Sequence, residues 1–539
     1  MKTGFSISRE EIHFQIYYWS LTLLVVCMPV SRYLMTVSLA IIVANWLAQG
    51  KFKTRFRIFL ADRPAVAFTL IYSLSIIGLL WTKDINYALS RDLLHKSPML
   101  FLPIIFATSR VPDARKTRLI LILFIASVFI VTITGFVIRT IHPGASFREA
   151  SPFIAGVYLS ILIIIAAFQL PLLASQTRQG KIIWALTLAV TVWLFFFLIY
   201  LRSLSGIASL AGIILFLSIM FISKRRSLYS RLAVSIVIVA IASAFILPVI
   251  KIYRQTHMEI ETDFSTLDEY TALGNRYYHD TVTIARENGH LINIYIAEEE
   301  LKEAWEKAST TAFPDTTLTG SPVRTTLYRY MASKGLRKDA GGFRLMTSED
   351  IAAVEKGVTN YLNLSRSGVY NRIYEELMGF YIYRKVSYRV PWMSSFAERF
   401  DQWRAAIKAF AVHPVFGWGT GSVLKAMKYG FQTTGSPFAA INMKPHNQYF
   451  WILLTLGVAG LLGYILLYTF IVVKSGVYKS FIFNIFLITF LINFLANNSI
   501  EGQLGQNPFV FFTLFYIYFY PKTQEERPDA VPGLWPPGR

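Results

Sequence analysis

The sequence predicts an all-α polytopic membrane protein of about 12 transmembrane helices, with one large, mostly helical extracytoplasmic loop domain. Three observations predict it. The 539 residues are 54% hydrophobic with a mean hydropathy of +0.45, too apolar for a soluble chain of this size. Uncharged runs recur at about the 20-residue length that a bilayer-spanning helix needs. Positive charge collects in alternate loops.

The runs lie, in order, at roughly 14–31, 34–48, 64–82, 90–108, 119–138, 152–173, 182–201, 203–222, 232–250, 448–473, 480–495 and 507–520. The first reads as a retained span, not a cleaved signal, because others follow at once. The fourth opens on "DLLHKSPML", whose charges suit the membrane interface. With the N-terminus in the cytoplasm, the cytoplasmic loops carry Lys51, Lys53, Arg55 and Arg57; Arg110, Arg115, Lys116 and Arg118; Arg178 and Lys181; Lys224, Arg225 and Arg226; Lys474 and Lys479. Every such loop is basic, as retained cytoplasmic loops should be. A net charge of +21, which would suggest nucleic acid in a soluble protein, is accounted for in large part by this topology, so no nucleic-acid partner is expected. The single cysteine, Cys27, sits in an apolar run and excludes an intrachain disulfide.

The chain therefore divides into helices one to nine (1–250), an extracytoplasmic loop or subdomain (251–447), helices ten to twelve (448–520) and a polar, Pro-rich, disordered cytoplasmic tail (521–539). Inside the loop, "HLINIYIAEEELKEAWEKAS" reads as a short strand and a helix. "SPVRTTLYRYMASKGLRK" reads as a helix closed by Gly335. Thr347 and Asp350 stand at capping-box spacing before a further helix.

Motifs of soluble enzymes are missing: no phosphate-cradling glycine loop with a lysine, no zinc-type histidine pair, no nucleophile elbow, no aspartate-rich metal site. No metal or other cofactor is expected. Three features gather instead at the outer rim. Arg202 stands at the junction of helices seven and eight, where it reads either as a cation snorkelling to the headgroups or as a grip on a lipid-linked phosphate. An amphipathic helix over about 395–411 carries Phe396, Phe400, Trp403, Ile407 and Phe410 on one face. Its Arg399 and Arg404 are either solvated charges or face a pyrophosphate. It runs into "HPVFGWGTGS", where Gly417, Gly419 and Gly421 permit a tight backbone, with or without a ligand. Last, "MKPHNQYFWILLTLGVAGLLGYI" puts His446 and Asn447 at the mouth of an apolar helix. A lone interfacial histidine needs no function, yet histidine is the side chain best suited to proton transfer near neutral pH.

His446 and Asn447, then nine residues, Gly457, two residues and Gly460, preceded by "RFDQWRAAIKAFAVHPVFGWGTGS", resemble the signature of bacterial O-antigen ligases. The motifs that carry the resemblance occupy Arg399 to Gly460; the insert at about 270–390 is larger than the family's plan needs. The resemblance implies a GT-C-like, metal-independent, inverting glycosyltransferase of the bacterial inner membrane, its active site facing the periplasm. The donor would be a glycan on undecaprenyl pyrophosphate, the acceptor a sugar hydroxyl of lipid A–core, the pathway lipopolysaccharide biosynthesis. His446 would then lie beside the acceptor hydroxyl, and Arg399 and Arg202 on the pyrophosphate. Asn447, Lys444, Arg404, His413 and the three glycines would be substrate contacts. At Arg202 the order is Leu-Arg-Ser-Leu-Ser-Gly, where relatives often show Ser-Arg-Gly. A polymerase of the same superfamily and a protein O-oligosaccharyltransferase share the donor. A lipid or sugar transporter would instead place polar sites at the bilayer midplane, often in inverted repeats, and no internal repeat is detected.

Overall fold

The computed structural model describes residues 8–141, 147–176, 180–224, 227–366, 368–385 and 394–520. The tail 521–539 lies outside them, as do Arg178, Arg225 and Arg226 of the basic loops.

Each of the twelve apolar runs is helical over most of its length. The starts follow capping chemistry. Ser8 and Ser31 open Arg9–Cys27 and Arg32–Ala48 by accepting a backbone N–H three residues on. Asp62, followed by Pro64 in the first turn, opens Arg63–Ile77. Six helices are long and apolar enough to cross a bilayer: Arg63–Trp81, Ala114–Ile141, Gly156–Ser175, Lys181–Tyr200, Leu204–Ile222 and Gln448–Ser475. A seventh counts if Arg32–Ala48 and Phe52–Ala61, bent by 114°, are one span. The expected count of about 12 spans exceeds what length and apolarity support. Phe481–Ala496 shows one reason: its 16 residues reach only about 24 Å at 1.5 Å per residue, short of a ~30 Å hydrocarbon core.

The fourth run shows another. It is broken into Ile85–Tyr87, a π-helical turn Ala88–Leu93, Leu94–Lys96 and Pro98–Thr108. Asp92 and Lys96 are buried there and find partners far along the chain. Asp92 accepts the Gly421 N–H at 2.9 Å, and Lys96 pairs with Glu501 at 2.9 Å. Pro98, without an N–H, begins the next helix.

Buried side chains form three cores. The first joins the apolar helices and is dense in phenylalanine and tyrosine from the last helix, Gln503–Tyr518. The second lies within residues 252–382, around Trp305, Tyr330 and Tyr374. Its frame is helical, with one antiparallel ribbon, Arg286–Glu287 against His290–Leu291. The expected strand-then-helix is the ribbon's second strand followed by Glu298–Ala308, and the expected capping box closes on Ser348–Glu355. A buried network ties it together: Arg329 bonds Glu287 and Glu375, both at 3.0 Å, and Asn360 donates to Glu287 at 2.9 Å. Gln255, near the end of Leu228–Thr256, joins it by donating to Asn288 at 3.0 Å.

The third core packs Ser395–Phe410 against Val423–Thr434 and the start of Gln448–Ser475. Ser395–Phe410 turns its small face inward: Ala397, Ala405, Ala406 and Ala409 are buried. At Gly430 a Cβ would strike the Ala405 carbonyl, so only small residues allow this approach. The large apolar face looks outward, with Phe396, Phe400 and Ile407 exposed.

Candidate functional site

The site is built where three segments meet the C-terminal end of Phe481–Ala496. The last carbonyls of a helix lack intrahelical partners, and that end carries the negative pole of the helix dipole. Here other segments supply donors. Asn447 Nδ2 donates to the Leu495 carbonyl at 3.0 Å. Arg399 Nε donates to the Ala496 carbonyl at 3.1 Å. The side chain of Asn497 lies near the imidazole of His446 and near the hydroxyl of Tyr158. Two successive carbonyls thus hold Asn447 and Arg399, with His446 beside Asn497.

His446 itself is half-buried with φ 44°. Left-handed backbone is uncommon outside glycine and costs of order 1–3 kcal/mol when a structure enforces it. Among the described residues five non-glycines have positive φ: Lys51, Arg202, Asn288, Tyr295 and His446. Two of them are residues singled out as catalytic. Burial pushes His446 below its ordinary value; the nearby Arg399 and Lys444 act the same way, and the nearby Asn497 side chain opposes them. The imidazole is therefore neutral at neutral pH, the form that can accept a proton.

Asn447 explains why a polar pair stands at the mouth of an apolar helix. Its Oδ1 accepts the Phe450 N–H at 3.1 Å as N-cap, while its Nδ2 reaches Leu495. Both polar ends are engaged within the protein. Lys444 is half-buried, its ammonium 5.6 Å from the Trp451 ring centre.

A succession of arginines leads away from His446. Arg399 also contacts the Ser395 carbonyl, and its guanidinium lies near Arg372, Glu376 and Glu398. Burial holds it below the usual guanidinium value, with Glu376 and Glu398 opposing. Arg372 donates to Ser395 Oγ at 3.0 Å and pairs with Glu376. Arg202 feels burial first, then repulsion from Arg139 and Arg372, and is likewise held down. Its guanidinium lies where a Cβ on Gly368 would be, so the glycine at the start of Gly368–Lys385 makes its slot. Arg139 stacks 4.9 Å from the Tyr200 ring. Arg372 thus lies near both Arg399 and Arg202, and Arg139 near Arg202, with Glu376 and Glu398 on the Arg399 side. Arg372 and Arg139 were not singled out from sequence. Each sits on a helix among polar or apolar neighbours with no motif around it, and only folding brings them together.

The three glycines face the chain's own backbone. Gly417 (φ 70°) lies against Gln448–Ser475, where a Cβ would come 2.6 Å from Leu456 N. Gly419 (φ 93°) lies against Thr82, and Gly421 (φ 87°) against Ala88 while donating to Asp92. The Gln448–Ser475 helix breaks at Gly457 (φ 65°, ψ −165°). There the turn inserts: Trp418 and Gly419 donate to Leu454 and Thr455 at 2.7 and 2.9 Å, and Val458 and Ala459 donate to Pro414 and Val415 at 2.9 and 3.0 Å. Gly457 does not pack a helix face beside Gly460; it is the point where the helix opens to receive the glycine turn. Arg404 is half-buried on Ser395–Phe410, and His413 is exposed with its ring 5.0 Å from Trp418. Among the described residues neither is hydrogen-bonded to His446, Arg399 or Asn497. Among them, too, no group of three or more His, Cys, Asp or Glu could hold a metal ion.

Residues 367–465 match the model of the O-antigen ligase family, and this supports the family assignment drawn from the sequence. The match covers Arg399, Arg404, His413, the glycine turn, Lys444, His446 and Asn447; Arg202, Tyr158 and Asn497 lie outside it. No curated protein matches the chain. Family members are glycosyltransferase-like enzymes that act on glycan and lipid-linked substrates.

Proposed function

Taking residues 367–465 as an O-antigen ligase segment, we propose that the protein transfers a glycan from undecaprenyl pyrophosphate to a sugar hydroxyl of lipid A–core. The reaction is a metal-independent, inverting displacement at the periplasmic face of the inner membrane. The observation that supports this reading is a neutral, half-buried imidazole beside a half-buried guanidinium, continued by further arginines. His446 takes the proton of the acceptor hydroxyl as that oxygen bonds to the anomeric carbon. The bond from that carbon to the pyrophosphate oxygen breaks, and its electron pair leaves with the phosphate. Arg399, Arg372 and Arg202 neutralise the charge that builds on the leaving group. A single displacement inverts the anomeric centre. Segment 251–447 is then periplasmic, and the outward aromatic face of Ser395–Phe410 rests on the membrane interface close to where a prenyl carrier is held.

Gene deletion followed by gel analysis of lipopolysaccharide tests this. The deletion strain is expected to lose long-chain bands while polymer accumulates on the lipid carrier. Wild type restores the ladder and His446→Ala, expressed equally, does not. Survival of single-repeat bands in the deletion strain would show a polymerase instead. A fully active His446→Ala would remove the histidine from the chemistry.

A further inference from the structure

We propose that a cleft in the insert at about 270–390 is a saccharide-binding site. The ring of Tyr278 is the platform for a sugar face, and Arg276, Asn293 and Glu299 are the hydrogen-bonding groups around it. The ligand is a neutral, hydroxyl-rich glycan. That this glycan is a substrate of transfer rests on the function proposed above; its binding to the cleft does not.

The cleft has a volume of about 680 Å³, within the roughly 300–1,000 Å³ of small-ligand sites. Its lining residues fall between 275 and 328, outside the segment that matches the family. Alternation along an extended segment builds one wall. Tyr277 and His279 turn to one side, where their rings lie 5.4 and 5.0 Å from that of Tyr295. Arg276, Tyr278 and Asp280 line the cleft. The wall is braced from behind. Tyr278 and Ile296 exchange backbone hydrogen bonds at 2.8 and 3.1 Å, and the Asp280 N–H closes on the Asn293 carbonyl at 2.8 Å. The first turns of Glu298–Ala308 and of Val323–Ser333 complete the lining.

The lining selects the class of ligand. Two arginines stand against four carboxylates, which disfavours an anion. Most of these charges are already engaged. Glu298 holds Arg324 at 3.2 Å and the Tyr328 hydroxyl at 2.8 Å. Glu300 accepts from Asn275 at 2.7 Å, from the Thr271 hydroxyl and from the Ala340 N–H. Asp280 accepts the Val282 and Thr283 N–H groups at 3.0 and 2.9 Å. Among the described residues of the lining, the side chains of Arg276, Glu299, Asn293 and Tyr278 make no hydrogen bond within the protein. One charge of each sign, an amide and a phenol supply donors and acceptors without net charge. Tyr278 is 63% exposed. An uncovered aromatic face among planar polar groups suits a ligand with an apolar C–H face and a rim of hydroxyls, which describes a pyranose. An extended peptide would need an open backbone edge. At Tyr278 and Ile296 that edge is closed by their mutual hydrogen bonds.

One helix ties the cleft to the arginines of the candidate site. Tyr374 and Met378 of Gly368–Lys385 belong to the same core as Tyr328, and Arg372 of that helix donates to Ser395. A glycan in the cleft is therefore held by the unit that carries Arg372. Its source is either the carrier-linked polymer or the saccharide of lipid A–core.

The test is saturation-transfer NMR on the full chain in detergent micelles, with two probes. One is wild-type lipopolysaccharide freed of lipid A by mild acid. The other is the same preparation from the deletion strain. The wild-type protein is expected to transfer saturation to the sugar ring protons of the first. Tyr278→Ala should weaken binding by at least about tenfold, the scale of losing an aromatic anchor. Asn293→Ala should weaken it too, while Tyr278→Phe, which keeps the face, binds nearly as well as wild type. Where the deletion strain has lost its ladder, equal binding of both preparations shows the core saccharide in the cleft, and binding of the first alone shows the polymer. No saturation transfer to either, or equal binding by wild type and both alanine variants, overturns the inference. Binding that depends on Tyr278 while the deletion strain's lipopolysaccharide is unchanged upholds the cleft and refutes the transfer reading instead.

Discussion

At the scale of single residues, the site depends on groups that do two jobs. Arg399 spends its Nε on the Ala496 carbonyl and keeps the rest of its fork near Glu376 and Glu398. Lysine can supply the charge but cannot hold a carbonyl with one nitrogen and present two others. Arg399→Lys is therefore expected to reduce transfer by at least about tenfold, corresponding to ~1.4 kcal/mol, with protein level unchanged. Equal rates for the two would mean the position needs only charge. His446 has a pH consequence of its own. Its folded value lies below the ordinary ~6.5, so the base stays unprotonated through neutral pH and activity is lost as pH falls through the lowered value. A rate profile with its acid limb above pH 7 would contradict this. Gly368 is a third such position. Gly368→Val would push into the Arg202 guanidinium, and its effect on transfer should match that of Arg202→Ala.

At the scale of elements, the glycine turn and the broken helix are one device. Residues 414–419 insert their backbone where Gln448–Ser475 opens, and four backbone hydrogen bonds close the gap. Those bonds satisfy groups that an unbroken helix would satisfy internally, as backbone at membrane depth requires. Gly457 has positive φ, and a Cβ there would collide with the Val415 carbonyl. Gly457→Ala is expected to lower the melting temperature of the purified protein and its yield; strain of this type alone is of order 1–3 kcal/mol. An unchanged melting temperature would mean that the turn can withdraw freely. This device also marks where the sequence was legible and where it was not. Apolar runs located the helices, the broken fourth run apart, because burial in a bilayer or core demands long uncharged stretches. The histidine–asparagine pair and the amphipathic helix were likewise visible from residue type and spacing. The break at Gly457 was not: a glycine in an apolar run looks the same whether it packs a helix face or opens it. Neither was Asn497, whose only local signal is a polar pair after an apolar run, and whose neighbours His446 and Tyr158 lie about 50 and 340 residues away in the chain.

At the scale of the whole molecule, the site is held by contacts between the first and last thirds of the chain. Lys96 and Glu501 pair at 2.9 Å with side chains 4% and 1% exposed. Gln448, the residue after Asn447, donates to Glu501 at 2.7 Å and accepts the Ile500 N–H at 3.1 Å. Asp92, one turn before Lys96, anchors the glycine turn through Gly421. One buried cluster therefore fixes the helix mouth that carries His446, the segment that follows Asn497 and the turn that splints the broken helix. Removing one member of a buried pair leaves an uncompensated charge and costs about 3–5 kcal/mol, whereas replacing both by neutral groups of similar size is often tolerated. Lys96→Met is accordingly expected to reduce yield and melting temperature sharply. Lys96→Met combined with Glu501→Gln should recover most of both, since the amide keeps the Gln448 contact and no lone charge remains. If the double variant is as unstable as the single one, the ammonium has a role that pairing with Glu501 does not explain. If the double variant is stable yet inactive, the pair's charge serves the chemistry and not only the fold.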